Sequence, residues 1–366
     1  METSHRYLPL DVFRGLTIAL MILVNTPGSW EHVYSPLRHA PWHGCTLTDL
    51  VFPFFLFAAG VSLFFSLEGQ PGPKALLRIV RRVILIFALG LFLNSFPQWM
   101  TDYSHLRIMG VLQRIALAYG LAALILMSVK QRWIPAVGVF ILLAYWGILY
   151  FFGGSDPYSL QGNATIPFDR LDLGESHLYR GFGIPFDPEG LLSSLPAVVT
   201  VLTGYLAGRM IGQAGGNRSV SGLALFGVVL AVAGYLWGFL LPVNKPLWTS
   251  SYVLYTGGIA AFVLAFLICV IDKKGYKKWT PVFSVFGMNS LFLFILSTLW
   301  IKTLHLLIRI PDAAGNTING AAWLYQNIFF PVAGNMPGSF FYAISHVVLF
   351  WLIGYVLYRA GIFIKV

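Results

Sequence analysis

Residues 49–67 read DLVFPFFLFAAGVSLFFSL, an apolar run entered through a carboxylate. A helix needs about 20 predominantly apolar residues to cross the hydrocarbon of a bilayer, and this run supplies them with no charge after Asp49. Working outward, runs of the same character lie at 12–27, 47–67, 79–96, 109–129, 134–152, 191–211, 222–241, 252–271, 281–302 and 338–360. A weaker run at 321–333 reads as an interfacial or eleventh segment. The 366 residues are 57% hydrophobic and 10% charged, against roughly 25% charged in a soluble domain. The expectation is an all-α polytopic membrane protein, a bundle of about ten transmembrane helices in one domain.

The first run has a basic flank, His5 and Arg6, as a signal peptide does. Asn25-Thr26-Pro27-Gly28 offers no small-x-small cleavage site, however, so the run reads as an uncleaved span. Cys45 and Cys269 are too far apart in the chain to suggest a disulfide framework or a zinc motif. The net charge of +10 does not call for a polyanionic partner. With the N-terminus inside, 16 of the 24 Lys and Arg fall on segments predicted to be cytoplasmic, and most acids fall on exterior ones. The positive-inside rule then places both termini in the cytoplasm.

Three exterior segments carry unusual chemistry. Residues 153–190 form a long Gly, Pro, Asp and aromatic-rich loop, and long ordered loops are usually functional. Residues 26–46 contain Trp30, His32, His39, Trp42 and His43, and 97–108 adds Trp99, His105 and Arg107. Ionisable groups at a bilayer boundary are costly and usually face a cavity. His39 lies ten residues before Asp49, with Asn25 ending the preceding span. A carboxylate on one imidazole nitrogen fixes the tautomer and leaves the other basic, while an amide can polarise a carbonyl. The same residues also read as a loop histidine, a helix-ending amide and an N-cap at Thr48-Asp49.

Other candidates are also open to two readings. Arg14 stands one turn from Asp11 and reads as an intrahelical pair or a ligand contact. Lys74, Arg78, Arg81 and Arg82 suit the phosphates of a nucleotide-bearing donor, or anionic lipid. Arg107, Gln113 and Arg114 bracket the start of the fourth span, where an arginine needs an anion or carboxylate. Asp187 and Glu189, after Phe182 and Phe186, can line the exterior mouth or merely start a helix at Pro188. His39 and His43 would suit a metal only on a helix, which Pro41 opposes, so no metal is expected.

Taken together, LPLDVFRGLTIALMILVN, HAPWHGCTLTDLVFPFFLF and RIMGVLQRIALAYG resemble the heparan-alpha-glucosaminide N-acetyltransferase family and its bacterial relatives. The family pattern of D-x-F-R-G, a span-ending Asn, His-Ala-x-Trp-x-Gly, Asp-Leu-Val-Phe-Pro and R-x-x-G-V-L-Q-R occurs here in order. The resemblance implies a transmembrane enzyme moving acetyl from cytosolic acetyl-CoA to a glucosamine-type sugar on the exterior side. It puts the active histidine at His39, its supporting Asp at Asp49 and the polar partner at Asn25. Donor binding is expected at Arg14, Arg78, Arg82, Gln113 and Arg114, and sugar binding at Trp42, His43, Arg107 and Asp187. The resemblance also leads to the expectation of a chain without the animal enzymes' luminal N-terminal domain and first span, with a bacterial inner membrane as the expected location. A homodimer stays open. The competing reading is an amino-sugar transporter, with Trp30, Trp42 and Trp99 stacking on the sugar and His39 and Asp49 relaying protons.

Overall fold

Residues 7–68, 72–97, 103–213, 217–311 and 316–364 are described by the computed structural model. Trp99, Asp102, Asp312 and Lys365 lie outside them. Helices account for nearly all regular structure, in the order α1 (Leu8–Asn25), α2 (Leu47–Leu67), α3 (Pro73–Ser95), α4 (Val111–Ser128), α5 (Ile134–Phe152) and a short α6 (Thr165–Leu173). There follow α7 (Ser194–Gln213), α8 (Asn217–Trp237), α9 (Ser250–Ile268), α10 (Thr280–Met288), α11 (Ser290–Lys302), α12 (Gly320–Leu324), α13 (Phe330–Ala333) and α14 (Asn335–Arg359).

Among the described residues, nine helices are long and apolar enough to cross a membrane. The expected third span is also present as α3, but Lys74, Arg78, Arg81 and Arg82 in its first half make it too charged to count among the nine. The expected ninth span is broken. Asn289 leaves helical geometry between α10 and α11, and its buried amide instead accepts from the Ile364 N–H (2.8 Å) and donates to the Ile362 carbonyl (3.1 Å). The run at 321–333 forms two helices of five and four residues around a π-helical turn. At 1.5 Å per residue these are too short to cross ~30 Å of hydrocarbon, so no eleventh span forms. A two-stranded hairpin, β1 (Arg309–Pro311) and β2 (Thr317–Asn319), pairs Arg309 with Asn319 and has no counterpart in the apolar pattern.

Helices α1, α2, α4, α7 and α9 bury half or more of their apolar windows, whereas α5, α8, α11 and α14 bury far less and present leucine, valine and phenylalanine outward. That is the division expected between a bundle interior and a lipid-facing shell. The α2–α7 crossing is close because both helices carry glycine there: a Cβ on Gly60 would lie 2.0 Å from the Val201 carbonyl oxygen, and one on Gly204 would lie 2.0 Å from that of Phe57. Small residues allow such backbone approach in membranes.

Pro53 lies within α2 and has no N–H to give the carbonyl of Asp49, four residues back. The Tyr252 hydroxyl of α9 donates to that carbonyl instead, at 2.5 Å. A bond lost inside one helix is thus replaced by one between helices, directly under the first turn of α2.

The candidate active site

The N-terminus of α2 builds the site. Thr46 is the N-cap, two residues before the position expected, and Asp49 at N3 closes a capping box by accepting the Thr46 N–H at 3.0 Å. The same oxygen, Oδ2, accepts the Ala40 N–H at 3.0 Å, which folds 38–46 back over the helix end. Oδ1 is left for His39, whose Nδ1 lies 2.6 Å away. Asp49 is 1% exposed; one of its oxygens caps the helix and the other meets the imidazole. With Nδ1–H donating to Asp49, the lone pair of His39 is on Nε2.

A lysine absent from the sequence-derived site completes the cluster. Lys245, between α8 and α9, places Nζ 3.6 Å from Asp49 Oδ1 and 3.2 Å from His39 Nδ1. Its loop is fastened to the histidine loop: the Gly44 N–H donates to the Val243 carbonyl (2.7 Å) and the Asn244 amide to the Trp42 carbonyl (2.9 Å). Burial pulls the Lys245 pKa down, against the opposing pull of Asp49. The available signal was an isolated lysine between Asn244 and Pro246, on a segment that the charge pattern reads as exterior and that therefore has no topological use for a cation.

Across the cavity, Arg107 grips Asp187 through both carboxylate oxygens (2.9 and 2.6 Å) and also donates to Glu189 (2.5 Å). Its guanidinium lies over the Tyr179 ring at 4.6 Å. Asp187 is buried behind Arg107, and Glu189 is the carboxylate that faces the cavities. Arg114 is fully buried, bonding the Ser193 and Ser194 hydroxyls and the Gly190 carbonyl, and so ties α4 to the segment carrying Glu189. Gln113 is buried against Gly90 of α3.

Two cavities of different size meet at His39. The outer one, about 550 Å³, is walled by Trp42, Arg107, Tyr179 and Phe182. The inner one, about 180 Å³, descends between α1, α2, α4 and α11 past Val51, Phe52, Phe55 and Phe294. Both are lined by His39, Glu189 and Lys245. Asn25 lines the inner cavity, as does Thr48, whose buried hydroxyl has no partner. His43 stands behind Trp42, 3.3 Å from the Asn244 amide, and burial lowers its pKa. Arg14, bonded to Ser290 (2.7 Å), and Arg78 and Arg82 lie at the opposite end of the bundle. The structure therefore gathers Asn25, His39, Trp42, Asp49 and Arg107 around one centre, with Glu189 and Lys245 added, and leaves the α3 arginines and Arg14 far from it.

The loop under this centre has its own titration. Asp169 of α6 accepts the Leu192 N–H (3.0 Å) through Oδ1, while Oδ2 is buried without a partner. Burial pushes its pKa up to about 6, the Leu192 hydrogen bond opposing. An unfolded aspartate ionises near ~3.9. Stability is therefore fullest below that value, falls as pH rises towards the folded pKa and is level above it, a loss of about 3 kcal/mol in all. Asp169→Asn should flatten the dependence of unfolding on pH in this window, measured as thermal midpoints of the detergent-solubilised protein. An unchanged slope would contradict the assignment.

The arrangement can set an imidazole against a carboxylate where a larger aromatic-walled cavity meets a smaller, more apolar one, with an amide and an unpartnered hydroxyl alongside. A family model described as the catalytic portion of heparan-alpha-glucosaminide N-acetyltransferase matches residues 6–236. Heparan-alpha-glucosaminide N-acetyltransferase of Mus musculus is 29% identical over 356 residues, covering 80% of this chain and 53% of that protein. The Homo sapiens protein of the same name is 28% identical over 348 residues, covering 78% and 52%. The chain spans about half the length of these curated relatives.

Proposed function

Because the chain belongs to the heparan-alpha-glucosaminide N-acetyltransferase family through its catalytic portion, we propose that it transfers acetyl from acetyl-CoA to the amino group of a glucosamine-type sugar, with His39 as the base. The observation carrying this reading is the 2.6 Å contact of His39 Nδ1 with buried Asp49 at the junction of two cavities. An aromatic-walled outer cavity suits a sugar, and an apolar inner one suits an acyl thioester.

In this mechanism the sugar ammonium first gives one proton to solvent, and the free amine attacks the thioester carbonyl while Nε2 of His39 takes a second proton from the attacking nitrogen. The C–N bond forms as the C–S bond breaks, and the imidazolium returns that proton to the leaving sulfur, giving neutral amide and thiol. Asp49 steadies the imidazolium formed between the two proton transfers, and the Asn25 amide stabilises the carbonyl oxygen as it gains charge. The unpartnered Thr48 hydroxyl is a second donor facing the same space. The donor's phosphates are assigned to Arg14, Arg78 and Arg82. On α3, Arg82 lies twelve residues, about 18 Å at helical rise, before Asn94, whose amide donates to the Arg107 carbonyl at 2.9 Å. A donor held at the basic end spans that distance for its thioester to reach towards His39. The positive-inside pattern supports a cytosolic side for that basic end.

The test is transfer from radiolabelled acetyl-CoA to glucosamine by purified protein in liposomes. Labelled N-acetylglucosamine supports the reading; saturable sugar uptake without acetylation would favour a transporter. Intersecting double-reciprocal plots would mark direct transfer, and parallel ones an acetyl-imidazole on the same nitrogen.

A further inference from the structure

We propose that Lys245 is a positioning residue of the reaction centre, its ammonium balancing Asp49 so that His39 is held neutral and able to accept a proton. The inference rests on His39 as base. A carboxylate within ~4–6 Å favours the charged form of its partner, so buried Asp49, left uncompensated, works against the neutral ring that a base must present. Lys245 acts against this twice. At 3.6 Å from Asp49 Oδ1 it offsets the negative charge, and at 3.2 Å from His39 Nδ1 it penalises a positive ring directly.

The other groups around His39 do not supply this balance. Glu189 and Arg107, across the cavities, bind each other, and Arg107 is further held by Asp187. The Cys45 thiol, its pKa pushed up to about 12 by burial, stays neutral. Tyr252 donates its hydroxyl proton to the Asp49 carbonyl. Lys245 is the cation that bonds the carboxylate on which His39 depends. Its position is built: Asn244 is pinned to Trp42, and its Oδ1 accepts the Leu247 N–H at 2.7 Å, closing the turn that carries the lysine. A cation set beside a bilayer boundary at such cost is expected to serve the site.

The experiment compares wild type, Lys245→Met and Lys245→Arg in liposomes, recording acetyl transfer to glucosamine against pH, together with the rate at which diethyl pyrocarbonate, which attacks neutral imidazole, modifies His39. His39→Ala supplies the blank for modification. Lys245→Met should move the acid limb of both profiles upward by about one pH unit, a tenfold loss at a fixed pH on that limb, and should recover at alkaline pH. Lys245→Arg should return the limb towards its wild-type position. A uniform loss at every pH, or modification of His39 with an unmoved profile, would overturn the proposal. The modification arm reads the imidazole without turnover, so a protein that acetylates nothing refutes the acetyltransferase reading while this balance is still measured. If Lys245→Met does not fold, Lys245→Gln carries the same comparison.

Discussion

His39→Ala is expected to lower the rate of acetyl transfer by about 10²–10⁴-fold, the range for removing a general base, while leaving the fold intact. The two expectations separate because of where the histidine sits. Its side chain is 45% exposed, towards the cavities, and it caps no helix and fills no core. The structural work at this corner is done by Asp49 Oδ2 through the Ala40 and Thr46 N–H groups, which survive the substitution. Initial rates in liposomes check the first expectation, and thermal unfolding in detergent the second. A folded variant with a wild-type rate would remove His39 from the mechanism.

Arg107→Met is expected to cost about 3–5 kcal/mol of stability, the penalty for stranding a buried charge by deleting its partner. Here two carboxylates are stranded. The Asp187 side chain is 0% exposed and that of Glu189 14%, against 26% for Arg107. Adding Asp187→Asn and Glu189→Gln to Arg107→Met should recover much of the loss, since the remaining groups are then neutral. Denaturant or thermal unfolding of the two variants decides the matter. Equal instability would mean that Arg107 acts through its packing on Tyr179 and not through charge.

The membrane bundle was legible because hydrocarbon imposes its length on every crossing: ten apolar runs correspond to nine long apolar helices, one of them preceded by α10, and the more charged α3. Apolarity is blind to a polar break inside a run. Asn289 interrupts the ninth because the C-terminal segment, more than seventy residues on, supplies its hydrogen bonds. The His39–Asp49 pair was visible through local spacing, but Lys245 is 206 residues from His39 and no periodicity links them. Between two neighbouring acids, sequence favoured Asp187 as the sugar contact. The structure turns that side chain inward to Arg107 and leaves Glu189 facing the cavities, a distinction set by the turn at Pro188.

The proline of α2 has a mechanical consequence. Were α2 and α9 to slide apart, the Asp49 carbonyl would lose its donor from Tyr252 with no N–H of its own helix to take over. A buried carbonyl left without a donor costs about 1–3 kcal/mol. The seam beneath the carboxylate therefore behaves as a clamp, and cycles of rocking that open it would break the clamp at every stroke. The head of α2 is thus a stationary anvil, and anything that meets the His39–Asp49 pair must travel to it.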